Sequence, residues 1–154
     1  MKLLSVSIPV IWLMIFSVAA DLELENTYDY EAELNRILDT RIELLNQSYY
    51  GCNGVEEGLK EILAEPLLSQ DLENLKRYED TDIERISGFE IVEYQLLSLD
   101  HGGAVIRAVI KWREDGEDPG PDFEYTVILQ HTSEGKVKMS GFYREAEISA
   151  FFCV

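Results

Sequence analysis

The chain has 154 residues and carries 30 acidic against 13 basic side chains, a formal net charge of −17. Binding to nucleic acid or to an anionic membrane surface requires Lys and Arg to neutralise phosphate, so this composition excludes both as partners. Two histidines exclude a three-histidine zinc centre.

Residues 1–20, MKLLSVSIPVIWLMIFSVAA, set Lys2 before an uncharged apolar stretch, and Val18 and Ala20 are small enough for a signal-peptidase cut before Asp21. This is the layout of a secretory signal, and a secreted or extracytoplasmic location is expected. The competing reading is an uncleaved anchor through residues 3–20, since about 17 apolar residues suffice for a span. Pro9, Ser5, Ser7 and Ser17 weigh against it. No Cys lies near residue 20, which excludes a lipid-modified signal. Residues 21–154 then form one domain, of a length that buries about two thirds of its unfolded surface.

From Tyr30 to Ser48 the apolar positions Leu34, Ile37, Leu38, Ile42 and Leu45 recur at steps of three and four, which predicts an amphipathic helix. YYGCNGV ends it, because Gly51 and Gly54 supply left-handed backbone. A second helix is predicted from Val55 to Ala64, stopped by Pro66. A third, short helix follows, with Ser69 as its cap and Leu72 and Leu75 as its buried side.

Beyond Phe89 the period changes to two. FEIVEYQLLSL, AVIRAVIKWRE, DFEYTVILQHT and KVKMSGFYRE read as strands joined by DHGG, EDGEDPGPD and SEG. Ala104, Ile106, Ala108, Ile110 and Trp112 alternate strictly with Val105, Arg107, Val109, Lys111 and Arg113. Such short joints force antiparallel neighbours. The expected fold is α+β, with N-terminal helices packed on a curved antiparallel four-stranded meander.

This order of elements resembles the nuclear transport factor two-like superfamily, above all its small exported bacterial members. The residues that carry the resemblance are the long first helix, PLLSQDLENLKRYEDTDIERISGFEIVE, the AVIRAVIKW strand and the EYTVILQHTSEGKVKMSGF hairpin. A cystatin-like arrangement gives much the same string. The resemblance implies a cone-shaped fold with a cavity between helices and sheet, used by some members for catalysis and by others for binding. It transfers the fold better than any activity, because function resides in the site.

The run EDGEDPGPD concentrates Glu114, Asp115, Glu117, Asp118 and Asp122, but Pro119 and Pro121 stiffen it and the EF-hand ligand order is missing. It reads as a solvated hairpin tip, so neither a metal nor a cofactor is assigned. His131 is in phase with Phe123, Tyr125, Val127 and Leu129, and would be the general base of a small-molecule enzyme with Tyr125 as hydrogen-bond donor. Against this stands a strand-end histidine with no identified partner acid. His101 falls in a turn. Tyr94, Trp112, Tyr125 and Tyr143 are candidate ligand-binding residues, weighed against simple burial of aromatic groups on a pleated surface. Cys52 and Cys153 either pair or remain two thiols. A bridge would close a loop of about a hundred residues and stabilise by about 4–5 kcal/mol. Asn46-Gln47-Ser48 matches an N-glycosylation acceptor. The expected role is a noncatalytic binding or interaction module, with an unidentified small molecule or protein as partner. The enzyme built on His131 and a membrane-tethered sensor are its alternatives. A binding role predicts a contiguous apolar patch or groove on the outer face of the sheet.

Overall fold

The computed structural model of the chain describes residues 28–77, 86–114 and 120–145. It divides into two compact units, Met1–Tyr30 and Glu31–Val154. Of the first, Tyr28 to Tyr30 are described, the two tyrosine rings stacking 5.7 Å apart. The second holds the fold. Its elements are helices α1 (Tyr30–Ser48), α2 (Val55–Ile62) and α3 (Leu67–Arg77), then strands β1 (Ile86–Asp100), β2 (Gly103–Glu114), β3 (Asp122–His131) and β4 (Val137–Arg144). The strands form one open antiparallel sheet in the order β1-β2-β3-β4. The chain is therefore α+β, with the helices preceding a four-stranded meander.

Helix α1 has the bounds its apolar spacing predicts, and Leu34, Ile37 and Leu38 are fully buried. Gly51 and Gly54 after it have φ of 63° and 93°, a region in which a Cβ is strained. Helix α2 ends at Ile62, two residues before the expected stop. Leu63 turns extended and bridges to Met139, and the Ala64 N–H donates to the Met139 carbonyl at 2.9 Å. A strand edge thus captures backbone groups that would otherwise have extended the helix. Helix α3 starts at Leu67, ahead of the expected Ser69 cap. The Glu65 carboxylate takes the capping role by accepting from the Ser69 N–H at 3.3 Å. Its buried residues are Leu67 and Asp71, whereas Leu72 and Leu75 are only half-buried.

Strand β1 shows how sequence becomes curvature. Its apolar residues Phe89, Ile91, Tyr94, Leu96 and Leu99 are spaced by steps of two and three in turn, a pattern that suits neither a flat strand nor a helix. Register shifts at Ser87, Val92 and Leu97 each insert one extra residue. Each bulge resets the phase, so that all five residues oppose β2 residues of the single face Ala104, Ile106, Ala108, Ile110 and Trp112. Bulges bend and twist the strand that carries them, so this spacing curls the sheet. Ser140 performs the same reset in β4, between Met139 and Gly141.

The inner face is the core. Ile106, Ile110, Val127, Leu129 and Met139 are at most 1% exposed, together with Leu34, Ile37, Leu38 and Leu59 of the helices. At the β1–β2 turn Gly103 has φ of 152°, and a Cβ there would overlap the Leu129 carbonyl oxygen. Backbone approach, not turn flexibility alone, requires glycine at that position.

Candidate functional site

The inner face carries Phe89, Trp112, Tyr125 and Phe142 on successive strands, with Tyr94 and Phe123 on the same face. Phe89 opposes Trp112 directly, whereas Tyr125 opposes Ala108 and Phe142 opposes Val127, so those rings meet across offset register positions. The ring centroids lie 6.1 Å apart for Phe89 and Trp112, 6.0 Å for Trp112 and Tyr125, and 4.4 Å for Tyr125 and Phe142. The Trp112 indole N–H donates to the Tyr125 hydroxyl at 2.8 Å. Edge-on and stacked ring pairs of this kind stabilise by about 0.5–1.5 kcal/mol each beyond their area.

Above the row sits an ion pair between two helices. Arg41 of α1 donates through Nε and an Nη to both carboxylate oxygens of Asp71 of α3, each at 2.7 Å, and its guanidinium carbon lies 5.4 Å from the Phe142 ring centroid. Asp71 and Ser140 are the buried polar residues among those described, and both are satisfied, Ser140 by the Ile128 carbonyl at 3.4 Å. The pair has a sequence signature that the apolar count overlooked. Arg41 falls on the stripe of Leu34, Ile37, Leu38 and Leu45, and Asp71 falls four residues after Leu67. Opposite charges placed on the apolar faces of two helices point to a partnership between them.

Of the candidate residues, the structure brings Tyr94, Trp112 and Tyr125 onto one face of the sheet and leaves Tyr143 on the other. Trp112 and Tyr125 are bonded to each other. Tyr94 lies on the same face, half-buried, opposite Ala108. Tyr143 opposes Thr126 and lies on the other face, its ring against Gly141 and near Ile128. At about 3.3 Å per residue of strand, Tyr125 and His131 stand about 20 Å apart along β3, so they cannot act on one substrate atom. His131 instead lines an open groove of about 400 Å³ at the β1–β2 turn with Ser98, Asp100, Val105, Ile128 and Gln130. Its backbone N–H donates to the Gly102 carbonyl at 2.9 Å. Asp100 serves the turn itself, its Oδ1 accepting from the N–H groups of Gly102 and Gly103.

Other expectations fall as follows. Cys52 is an exposed free thiol in the α1–α2 loop; Cys153, residues 1–20 and the acids Asp115, Glu117 and Asp118 lie outside the described residues. Asp122 faces Lys111 at 3.3 Å. Among the described residues no group of three or more His, Cys, Asp or Glu is arranged to hold a metal ion, and no helix is long and apolar enough to cross a membrane. Asn46 occupies the last turn of α1, and its Nδ2 donates to the Ile86 carbonyl at 2.8 Å. The glycosylation acceptor nitrogen is thus committed to tying α1 to β1.

The outer face of the sheet is a ladder of ion pairs. Arg107 engages Glu124, Lys111 faces Asp122, and Arg113 lies 4.0 Å from Glu90. The hydrogen bond from Arg107, with its positive charge, lowers the Glu124 carboxyl below the usual carboxylate range, and Glu124 raises the Arg107 guanidinium in return. Val109 lies among these charges, whereas Val105 pairs with Ile128 beyond Arg107 and lines the groove at the β1–β2 turn. Exposed apolar groups include the β1 bulge residues Val92 and Leu97, 46% and 50% exposed, and Tyr49 and Tyr50 after α1, 38% and 65% exposed.

Fold and site together define a small α+β domain whose described sheet ends at β1 and whose inner face is lined by aliphatic and aromatic groups. No protein-family model matches the chain, and no curated protein matches it either.

Proposed function

We propose that this chain is an exported, noncatalytic protein-interaction module, and a diverged member of the nuclear transport factor two-like superfamily. The carrying observation is the pairing of a neutralised interior with two exposed apolar side chains on the strand that ends the sheet. The one buried carboxylate among the described residues, Asp71, is neutralised by Arg41, and the imidazole and phenol that would form an acid–base pair stand far apart on β3. Val92 and Leu97 meanwhile offer apolar surface at the sheet's end. The bulged β1 and the meander behind three helices support the superfamily reading, and the layout of residues 1–20 supports export.

A photo-cross-linking phenylalanine analogue placed at Val92 or Leu97 of the exported protein tests the role. The same analogue at Glu73, 71% exposed on α3, is the control. Adducts with a second polypeptide are expected from the two β1 positions only. Equal adducts from all three, or none, would refute a docking role for β1. N-terminal sequencing of the exported chain is expected to begin at Asp21; an intact Met1 or Lys2 would favour the tethered alternative.

A further inference from the structure

We propose that edge strand β1 receives an extended segment of a partner protein in which Lys or Arg alternates with apolar residues. The inference rests on the interaction-module reading and supplies the chemistry of the partner.

The two edges of the sheet are unequal. The outer edge of β4 is occupied by Leu63 and Ala64 through the bridge and hydrogen bond to Met139, and Lys138 reaches over to the Lys60 carbonyl. β1 ends the sheet, no described strand lies beyond it, and it runs for 15 residues. A long edge is a template for strand addition, which natural proteins blunt with short strands, charges or bulges. The bulges at Ser87, Val92 and Leu97 do interrupt this edge, yet between the first two of them the stretch Gly88–Ile91 keeps continuous register.

Charge selects the occupant. On the outer face sign alternates strand by strand: acidic on β3 with Asp122 and Glu124, basic on β2 with Arg107, Lys111 and Arg113, acidic on β1 with Glu90 and Glu93. β1 contains no basic residue. The strand that continues this alternation is basic. A second copy joined through β1 would bring Glu90 and Glu93 against the same acids, and like charges directly opposed across strands are destabilising. Side chains of an added strand also alternate between faces. Its basic residues would flank Glu90 and Glu93, while the others would extend the apolar inner face beside Phe89 and Ile91, both half-buried.

The test uses the full chain and three synthetic peptides: alternating Lys and Val, the same composition with the lysines in one block, and alternating Glu and Val. Fluorescence anisotropy is expected to show the alternating basic peptide binding at least tenfold tighter than the block peptide, with no binding of the acidic one. Amide hydrogen exchange is expected to slow at alternate residues of Gly88–Ile91, those whose N–H groups face away from β2. The double variant Glu90→Gln, Glu93→Gln, with an unchanged unfolding midpoint, is expected to weaken the alternating peptide at least tenfold; if it fails to fold, Val92→Lys gives the equivalent readout at the same edge. Equal binding of the block peptide would show diffuse charge attraction and overturn the proposal. So would protection mapping away from β1, or a dimer in sedimentation that Val92→Lys abolishes. Cross-linked partners at β1 without peptide binding would overturn the chemistry while leaving the interaction module standing.

Discussion

Replacing Arg41 by Ala leaves Asp71 as an unpaired carboxylate that is only 5% exposed, in a site where Arg41 itself is 17% exposed. Breaking a buried pair from one side costs about 3–5 kcal/mol because the remaining charge keeps its desolvation penalty without the attraction. The partial exposure of Arg41 argues for the lower end, and loss of the guanidinium over Phe142 adds about 0.5–1 kcal/mol. A total of ~3.5 kcal/mol corresponds to a drop of about 10 °C in melting temperature for a domain of this size. In urea unfolding followed by circular dichroism, it shifts the midpoint by about 2 M at an ordinary slope. The double variant Arg41→Met, Asp71→Leu removes both charges and keeps the volume, so it should return to within about 1 kcal/mol of the parent. If Arg41→Ala costs less than about 1 kcal/mol, or if the double variant is no better than the single, the pair is not a desolvated contact and the account of how α1, α3 and the sheet are joined is wrong.

Tyr125→Phe is expected to cost about 1–2 kcal/mol by removing the acceptor of the Trp112 indole N–H, and Trp112→Phe in the same background should cost less than in the parent; equal costs would show that the bond is uncoupled. The Glu124 carboxyl, held below its usual range by Arg107, binds its proton less readily folded than unfolded. Its contribution to stability is present above the unfolded carboxylate value of about 4 and is lost as pH falls through the lower folded value. Arg107→Gln should therefore move the Glu124 titration upward in an NMR pH series and flatten the acid limb of stability; an unmoved titration refutes the pairing. Passage through a glycosylating secretory pathway should leave Asn46 unmodified in intact-mass measurement, and Asn46→Ala should destabilise by about 1–2 kcal/mol through the orphaned Ile86 carbonyl. Glycan at Asn46 would refute the helix-end commitment.

Periodicity made most of the fold legible. The stripe of Leu34, Ile37 and Leu38 placed α1, and the alternation from Ala104 to Trp112 set the inner face of β2, because each spacing matches the repeat of one backbone geometry. Local pattern could not announce that Leu63 and Ala64 would leave a helix to cover β4, since the competing hydrogen-bond partner, Met139, lies far along the chain. Nor could strand phase alone place Tyr143. The bulge at Ser140 shifts the alternation so that Phe142 faces inward to Tyr125 and Tyr143 faces out.

The amino-acid order by itself determined three helices, four strands and an acidic composition, because these depend on composition and near-neighbour spacing. Tertiary structure decided which charges meet and, among the described residues, which strand ends the sheet. Arg41 finds Asp71 from another helix, His131 and Tyr125 stay apart on one strand, and β4 is covered while β1 ends the sheet. Those outcomes turn on register and long-range contact, and no stretch of sequence carries them alone.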